Sequence, residues 1–376
     1  MRTVVLSDIH LAAGYDSDLL RRRRFRDVLF DELEGADELV LLGDVVELRD
    51  RPLRQALDLA RPFFEHLAEA IRSARVVIVP GNHDHQLIAP WLESRRMRGE
   101  RPLGLQQLAP PETEIAAEIA RLMPKADMSL AYPGLWVRPG VYATHGHYLD
   151  CHVTVPTFER LAIAVIEKLA GALPVGLRST DDYESVQAPL YGLLYGIAQG
   201  GPRPRRGLGE NASARVWEAV HGRDGRRPGV RGRLLGSVVL PGVVAAANRL
   251  GLGPLRWDIS MAEIRQAGLR AMRELVGRLR LEADHVIFGH SHRRGPLGSE
   301  PGWELANGTR LLNTGSWAYA PGLMGPTAAG SVFWPGTVAV LEDERPPELR
   351  HLLDEMSHDE LRGRRSRRAS ATRPKR

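Results

Sequence analysis

Short apolar runs punctuate the chain, and five of them lead into the same kind of polar cluster. Residues 3–6, 39–42, 76–79, 141–143 and 286–288 are short runs dominated by aliphatic residues, bounded by Gly, Pro or polar positions. Runs of this length and content predict buried strands. Just beyond them stand Asp8-Ile9-His10, Gly43-Asp44, Gly81-Asn82-His83-Asp84, His145-Gly146-His147 and Gly289-His290-Ser291-His292. Polar residues where strands give way to loops mark the usual place of a site in an α/β fold. A weaker sixth cluster, Asn313-Thr314-Gly315-Ser316, is expected to shape a turn behind the others.

Helical periodicity fills the intervals. Residues 54–72 carry Leu57, Ala60, Phe64, Leu67 and Ile71 on one helical face. Further helices are predicted over 18–33, 86–96 and 110–122, the last opened by Pro110-Pro111. About 140 residues separate His147 from Gly289. That interval has helical patterns over 158–169, 184–198, 212–220, 234–250 and 260–281. The last of these leads into the strand at 286–288 and is assigned to the core. The expected organisation is a core over 1–152 and 258–350, a helical insertion over 153–257, and a disordered basic tail over 357–376. The insertion leaves and returns beside polar clusters, so it is expected to lie over them as a cap. Its apolar stretches at 161–166 and 234–247 read as the interior of that cap, with a greasy cleft or a membrane-facing surface as the alternative. The arginines at 203–206 and 223–233 either grip phosphate or line solvated loops.

Composition narrows the class. The charge of +5 is local: residues 362–376 hold eight Lys or Arg and no acid, leaving about −3 for the rest. Such a tail has too little apolar surface to fold. It reads as a solubilising end, with an anionic membrane surface or nucleic acid as its possible partner. One cysteine excludes an intramolecular disulfide framework. A metal-ligand motif begins at Asp8, leaving no room for a cleaved leader, and no apolar run is long enough to span a membrane. The expectation is a cytoplasmic protein, peripheral to the membrane at most.

The side chains in the clusters point to metal chemistry. Of 13 histidines, eight lie in or beside the clusters. Asp, Asn and His offer hard oxygen and borderline nitrogen donors, which suit Mn²⁺, Fe, Zn²⁺, Ni²⁺ or Mg²⁺. Two ions a few Å apart need a ligand that touches both, and Asp44, alone after its strand, is the natural bridging carboxylate. His147 is a candidate for lining the substrate pocket. Glu47 and Arg49 read as a salt-bridged loop, with reach to the substrate as the alternative.

The ordered set D-x-H, G-D, G-N-H-D, H and G-H-x-H resembles the calcineurin-like metallophosphoesterase superfamily. The resemblance implies an α/β fold in four layers, α/β/β/α, made of two mixed sheets with the helical cap inserted. It implies two divalent ions, with Mn²⁺ the leading candidate. One would be held by Asp8, His10, Asp44 and His292, the other by Asp44, Asn82, His145 and His290. It further implies that His83 faces the substrate phosphate. Asp84, next in sequence, is expected to orient the His83 ring. The reaction expected is hydrolysis of a phosphomonoester, phosphodiester or pyrophosphate by a metal-bridging hydroxide.

Three narrower readings stand beside that one. Gly-Asp-x-x-Glu and the helical insertion look like UDP-2,3-diacylglucosamine diphosphatase, a lipid-linked diphosphate hydrolase, although that class has Gly-Asn-Arg-Asp where this chain has Gly-Asn-His-Asp. A DNA-processing nuclease of the double-strand-break repair type shares Gly-Asn-His-Asp but predicts a basic body, whereas the positive charge here sits in the tail and cap loops. A non-catalytic scaffold on the same fold would have lost ligands, and this chain keeps them.

Overall fold

The structure, a computed structural model, describes residues 1–14, 17–71, 74–155, 160–164, 166, 176–200, 240–250, 255–256 and 261–363. The five apolar runs form strands β1 (Arg2–Leu6), β2 (Glu38–Leu42), β3 (Arg75–Val79), β6 (Val141–Thr144) and β7 (His285–Phe288). Five more strands complete the set: β4 (Gln106–Ala109), β5 (Asp127–Arg138), β8 (Arg310–Asn313), β9 (Thr337–Glu342) and β10 (Glu348–His351). Every residue of β2 is buried, which is why it reads as an unbroken apolar run rather than an alternating one.

The strands hydrogen-bond in one continuous order, β10-β9-β1-β2-β3-β5-β6-β7-β8, with β4 also paired to β5. The twelve-residue β5 makes this continuity. Its first half pairs with β3 and β4, and its second half, from Gly134, pairs antiparallel with β6. β1, β2, β3 and the start of β5 are parallel, as are β6, β7 and β8. The carboxyl ends of these two parallel sets carry the polar clusters.

Three large apolar clusters hold the described residues together, beside a small one of Val244, Leu255 and Leu161. One face of β1–β3 packs against α1 (Arg23–Leu33), α2 (Leu53–Ala70) and α4 (Glu114–Leu122) through Leu29, Phe63, Phe64, Leu67 and Ile119. One face of β6–β8 packs against α5 (Thr180–Gly200) and α7 (Met261–Arg278) through Tyr183, Leu190, Met272 and Leu275. The third cluster joins Val5, Val40, Val77 and Ala339 to Val141, Ala143, Ile287 and Leu312, so the other faces of the two parallel sets share a core. Each fully buried Leu or Phe contributes about 1.5–3 kcal/mol to these contacts.

The helices depart from expectation at their ends. The stretch 18–33 is not one helix. Asp18 caps a 3₁₀ turn, Leu19–Arg21, and Arg22 is extended before α1 begins. Pro110-Pro111 do not open α4. Thr113 does, accepting from the Ala116 N–H while donating to the Leu87 carbonyl. The segment 86–96 divides into a 3₁₀ turn, His85–Leu87, and α3 (Ala89–Met97). Within the expected insertion, α5 spans the predicted 184–198, and α6 (Leu240–Arg249) lies within 234–250. The predicted helix at 212–220, most of 158–169 and the arginine-rich loops lie outside the described residues.

The C-terminal boundaries also shift. Residues from 357 were expected in a disordered tail, but Ser357 and Glu360 form a capping box for α8 (His358–Leu361), and Leu361 is fully buried. The core likewise runs past 350, since Asp354 pairs with buried Arg294. Residues 364–376 lie outside the described residues. Among the described residues no helix is long and apolar enough to cross a membrane.

Candidate metal centre

Each cluster residue enters the site from the carboxyl end of a strand, and several do so in an unusual backbone conformation. Asp8, His10, Asp44, His290 and His292 all have positive φ, between 45° and 63°. Such φ values are uncommon outside Gly, and each costs on the order of 1–3 kcal/mol unless its surroundings enforce it. The surroundings do. The backbone N–H groups of Asp8 and His10 donate to the carbonyls of Gly43 and Asp44, and the N–H of His290 donates to the Asp8 carboxylate. Glycines let the loops close on one another. A Cβ on Gly81 would lie 2.3 Å from Asp44 Oδ1, and one on Gly289 would lie 2.3 Å from Asp8 Oδ2.

Three groups of ligand atoms result: Asp8, His10 and His292; His10, Asp44 and His83; and Asp44, His145 and His290. Within each group the atoms lie within 4.8 Å of one another. Asp44 is common to the last two and lies between the sequence-predicted sets. Its Oδ2 is 3.3 Å from His145 Nε2 and 3.8 Å from His10 Nε2. His10 Nε2 and His292 Nε2 are 3.1 Å apart, and His292 Nε2 is 3.2 Å from Asp8 Oδ1. Burial alone would raise the Asp44 pKa, but His145, His83 and His10 hold it well below the usual carboxylate range. Burial alone would lower that of His145, but Asp44 and Asp8 push it up to about 9.

Asn82 tests whether this donor set fits a cation. Its amide oxygen faces acceptors: His145 Nε2, His290 Nδ1 and Asp44 Oδ2, at 3.1–3.2 Å. With its NH₂ toward these atoms the amide donates to all three and its oxygen accepts from Arg49; with its oxygen toward them it serves as a ligand. A dication between these atoms favours the second orientation, because it needs lone pairs and not protons. Oxygen and imidazole donors converging in this way fit Mn²⁺, Fe or Zn²⁺.

His83 is reached by Glu47, not by Asp84. Both Asp84 oxygens are occupied by backbone N–H groups, Oδ1 by those of Asp44 and Gly81, Oδ2 by those of Val45 and Val46. The expectation that Asp84 orients the His83 ring is therefore corrected. Asp84 braces the Asp44 loop. Glu47 Oε2 lies 2.6 Å from His83 Nδ1 and 3.2 Å from His10 Nδ1. Glu47 is buried, pairs with these two histidines and accepts from the Arg49 backbone N–H. The only sequence signal for it was its place three residues after Asp44. Burial works against a charged His83, yet Glu47 and Asp44 raise its pKa to about 9. The His83 backbone N–H also donates to Asp44 Oδ1 at 2.8 Å, fixing both ends of the residue.

The remaining candidates take supporting places. Asn313 donates to the Gly289 carbonyl and to Ser291 Oγ, and Ser316 donates to the Asp8 carbonyl, so this cluster braces the loops. Asp150 was not singled out from sequence. Its Oδ1 is 2.9 Å from His290 Nε2, which leaves Nδ1 turned toward Asn82. His147 is buried with its ring 5.6 Å from that of His145. Burial and the neighbouring His145 and His290 hold its pKa well below the ordinary histidine value.

Helix α5 packs against this side of the site. Glu184 of α5 accepts from Tyr148 at 2.7 Å, also from Tyr132, and lies 3.0 Å from His85 Nε2. Gln187 donates to the His147 carbonyl at 2.9 Å. The ends of α5 are tied to the core as well. Asp181 accepts from the Leu103 N–H, and Gln199 accepts from the Leu53 N–H. Nothing in a generic helical pattern announced these contacts.

Comparison with known proteins adds a family. No curated protein matches the chain. Among solved structures, a crystal structure of a mutant cold-active protein tyrosine phosphatase is similar at 13% identity over 93% of this chain and 80% of that one. Its TM-score of 0.28 carries no structural argument. The model of the calcineurin-like phosphoesterases matches residues 1–167, which include Asp8, His10, Asp44, Asn82, His83, His145 and His147. Over that segment the chain is similar to the calcineurin-like phosphoesterases.

Proposed function

We propose that the chain is a phosphoester hydrolase working with two divalent metal ions, Mn²⁺ first among them. Asp8, His10, Asp44 and His292 would hold one ion, and Asp44, Asn82, His145 and His290 the other. The observation that carries this reading is the convergence of Asp, Asn and His side chains around Asp44, with the ligand atoms of each Asp/His group within 4.8 Å of one another. When bound, the two ions would polarise the phosphoryl oxygens and lower the pKa of water to near neutrality.

The chain's own residues do the rest. Glu47 holds Nδ1 of His83, which leaves Nε2 on the Asp44 side, 3.9 Å from Oδ2. A protonated Nε2 placed there donates to the oxygen that leaves phosphorus. Asp84 and Asp150 act through others. Asp84 fixes the Asp44 loop, and Asp150 fixes the His290 ring. His147 belongs to the wall on the α5 side. We read the three apolar clusters as the layers of an α/β/β/α sandwich, and residues 153–257 as its cap. A screen of aryl phosphomonoesters, phosphodiesters and pyrophosphates with added Mn²⁺ tests the proposal. Hydrolysis of one class, abolished by EDTA, supports it, and hydrolysis of none with two metals bound rejects it.

A further inference from the structure

We propose that the seam between α5 and the metal centre is a recognition site for a leaving group rich in hydroxyl or N–H donors, such as a sugar or polyol. This inference rests on the phosphoesterase reading and names the substrate class of that same site.

The hydrogen bonds along the seam fix which atoms are left over. Tyr132 has one hydroxyl proton, and it goes to Glu184. Its oxygen lies 3.2 Å from His147 Nε2, so that nitrogen must carry the proton and donate it. In the neutral ring, buried among Tyr132, Tyr148 and Tyr191, Nδ1 is then a bare lone pair. His85 follows the same logic. Its Nε2 donates to Glu184, so in the neutral ring Nδ1 is an acceptor too.

Neither Nδ1 has a hydrogen-bond partner among the described residues. The same holds for Gln187 Oε1 and the Tyr191 hydroxyl. All four residues are at most 3% exposed. They belong together: the Tyr191 ring lies 5.3 Å from that of His85 and 5.8 Å from that of His147, and Gln187, one helical turn before Tyr191, bonds the His147 carbonyl. Gln187 Oε1 is an acceptor and the Tyr191 hydroxyl can accept, and each Nδ1 is an acceptor where its ring is neutral. Buried acceptors without donors are costly to leave unmet. What satisfies them must bring protons, which an acyl chain or a bare aryl ring does not. The seam adjoins His145 through His147, whose rings lie 5.6 Å apart, so a group bound there would stand beside a phosphoryl group at the centre, where the leaving group of a phosphoester stands.

The test compares two phosphonates that resist hydrolysis and share charge and length. These are 2,3-dihydroxypropylphosphonate and propylphosphonate, titrated calorimetrically into the Mn²⁺-loaded full chain. The dihydroxy compound should bind at least about tenfold tighter, since two hydroxyls meet unmet acceptors. In Tyr191→Phe and Gln187→Leu the ratio of the two affinities should fall towards one. Tyr191→Phe removes only an unpartnered hydroxyl, so folding is not at stake there. Equal binding of the two compounds by the unaltered protein overturns the inference, as does a ratio that survives both substitutions. If neither phosphonate binds although two metals are present, the phosphoesterase reading fails and the inference falls with it.

Discussion

The two walls of the site are made differently. On the strand side, short loops deliver Asp8, His10, Asp44, Asn82, His145, His290 and His292, five of them with left-handed backbone. On the helix side, the 21-residue α5 lays Glu184, Gln187 and Tyr191 against the core without backbone strain of that kind. The strand wall has acceptors that converge on one another and suit cations. The helix wall has acceptors that suit donors. One wall is specified by backbone, and its glycines and positive φ values matter as much as its ligands. The other is specified by side-chain bonds between distant residues, and it is open to change without disturbing the first.

That contrast breaks most sharply at the glycines. Gly81→Ala places a Cβ against the Asp44 carboxylate and the His145 ring, so turnover should be lost and stability should fall by about 1–3 kcal/mol. Denaturant unfolding of the metal-free protein, paired with an activity assay, checks it. A variant with unchanged turnover would show that the strand wall tolerates displacement.

His83 comes next. His83→Ala should cut turnover by roughly 10²–10⁴ with both metals retained. Glu47→Gln should have a smaller effect, about 10–100-fold. It should also shift the pH profile. Glu47 raises the pKa of His83, so removing its charge lowers that pKa, and the fall in activity on the alkaline side should begin at lower pH. An unmoved alkaline limb would detach Glu47 from the chemistry.

On the helix wall, Glu184→Leu leaves Tyr132, Tyr148 and His85 without their shared acceptor. It should cost about 1.5–3 kcal/mol while metal stoichiometry stays at that of the unaltered protein. Loss of metal would mean that the two walls are not independent.

An effect confined to acid pH is expected at His152. Burial and nearby Arg278 lower its pKa from 6.5 to about 4. The unfolded chain takes up this proton first, so the contribution to stability is complete above pH 6.5 and is lost as pH falls from 6.5 towards 4. His152→Gln should flatten unfolding midpoints across that window, and an unchanged slope would assign the acid sensitivity elsewhere.

The same contrast explains what the sequence disclosed. The strand wall was legible because a buried parallel strand must be an apolar run and its candidate ligands follow directly. Thus 76–79 announced β3, and Asn82 and His83 came after it. β5 escaped notice because Pro133-Gly134 at its middle reads as a turn, and β4 because Gln106 and Gln107 make it polar. Glu47 was legible as a residue but not as a partner of His83, since adjacency in sequence favoured Asp84. The left-handed φ of His10 or His292 leaves no mark in composition. Glu184 and Tyr191 sit in an ordinary helical pattern, and their role depends on Tyr132 and His147, 52 and 44 positions away.

Metal content of the unaltered protein and of Asp44→Ala, by elemental analysis after equilibration with Mn²⁺, tests the central claim most directly. Two ions per chain are predicted for the unaltered protein, and at most one in the variant, with its circular dichroism unchanged. Two ions retained in Asp44→Ala would contradict the claim, as would fewer than two in the unaltered chain.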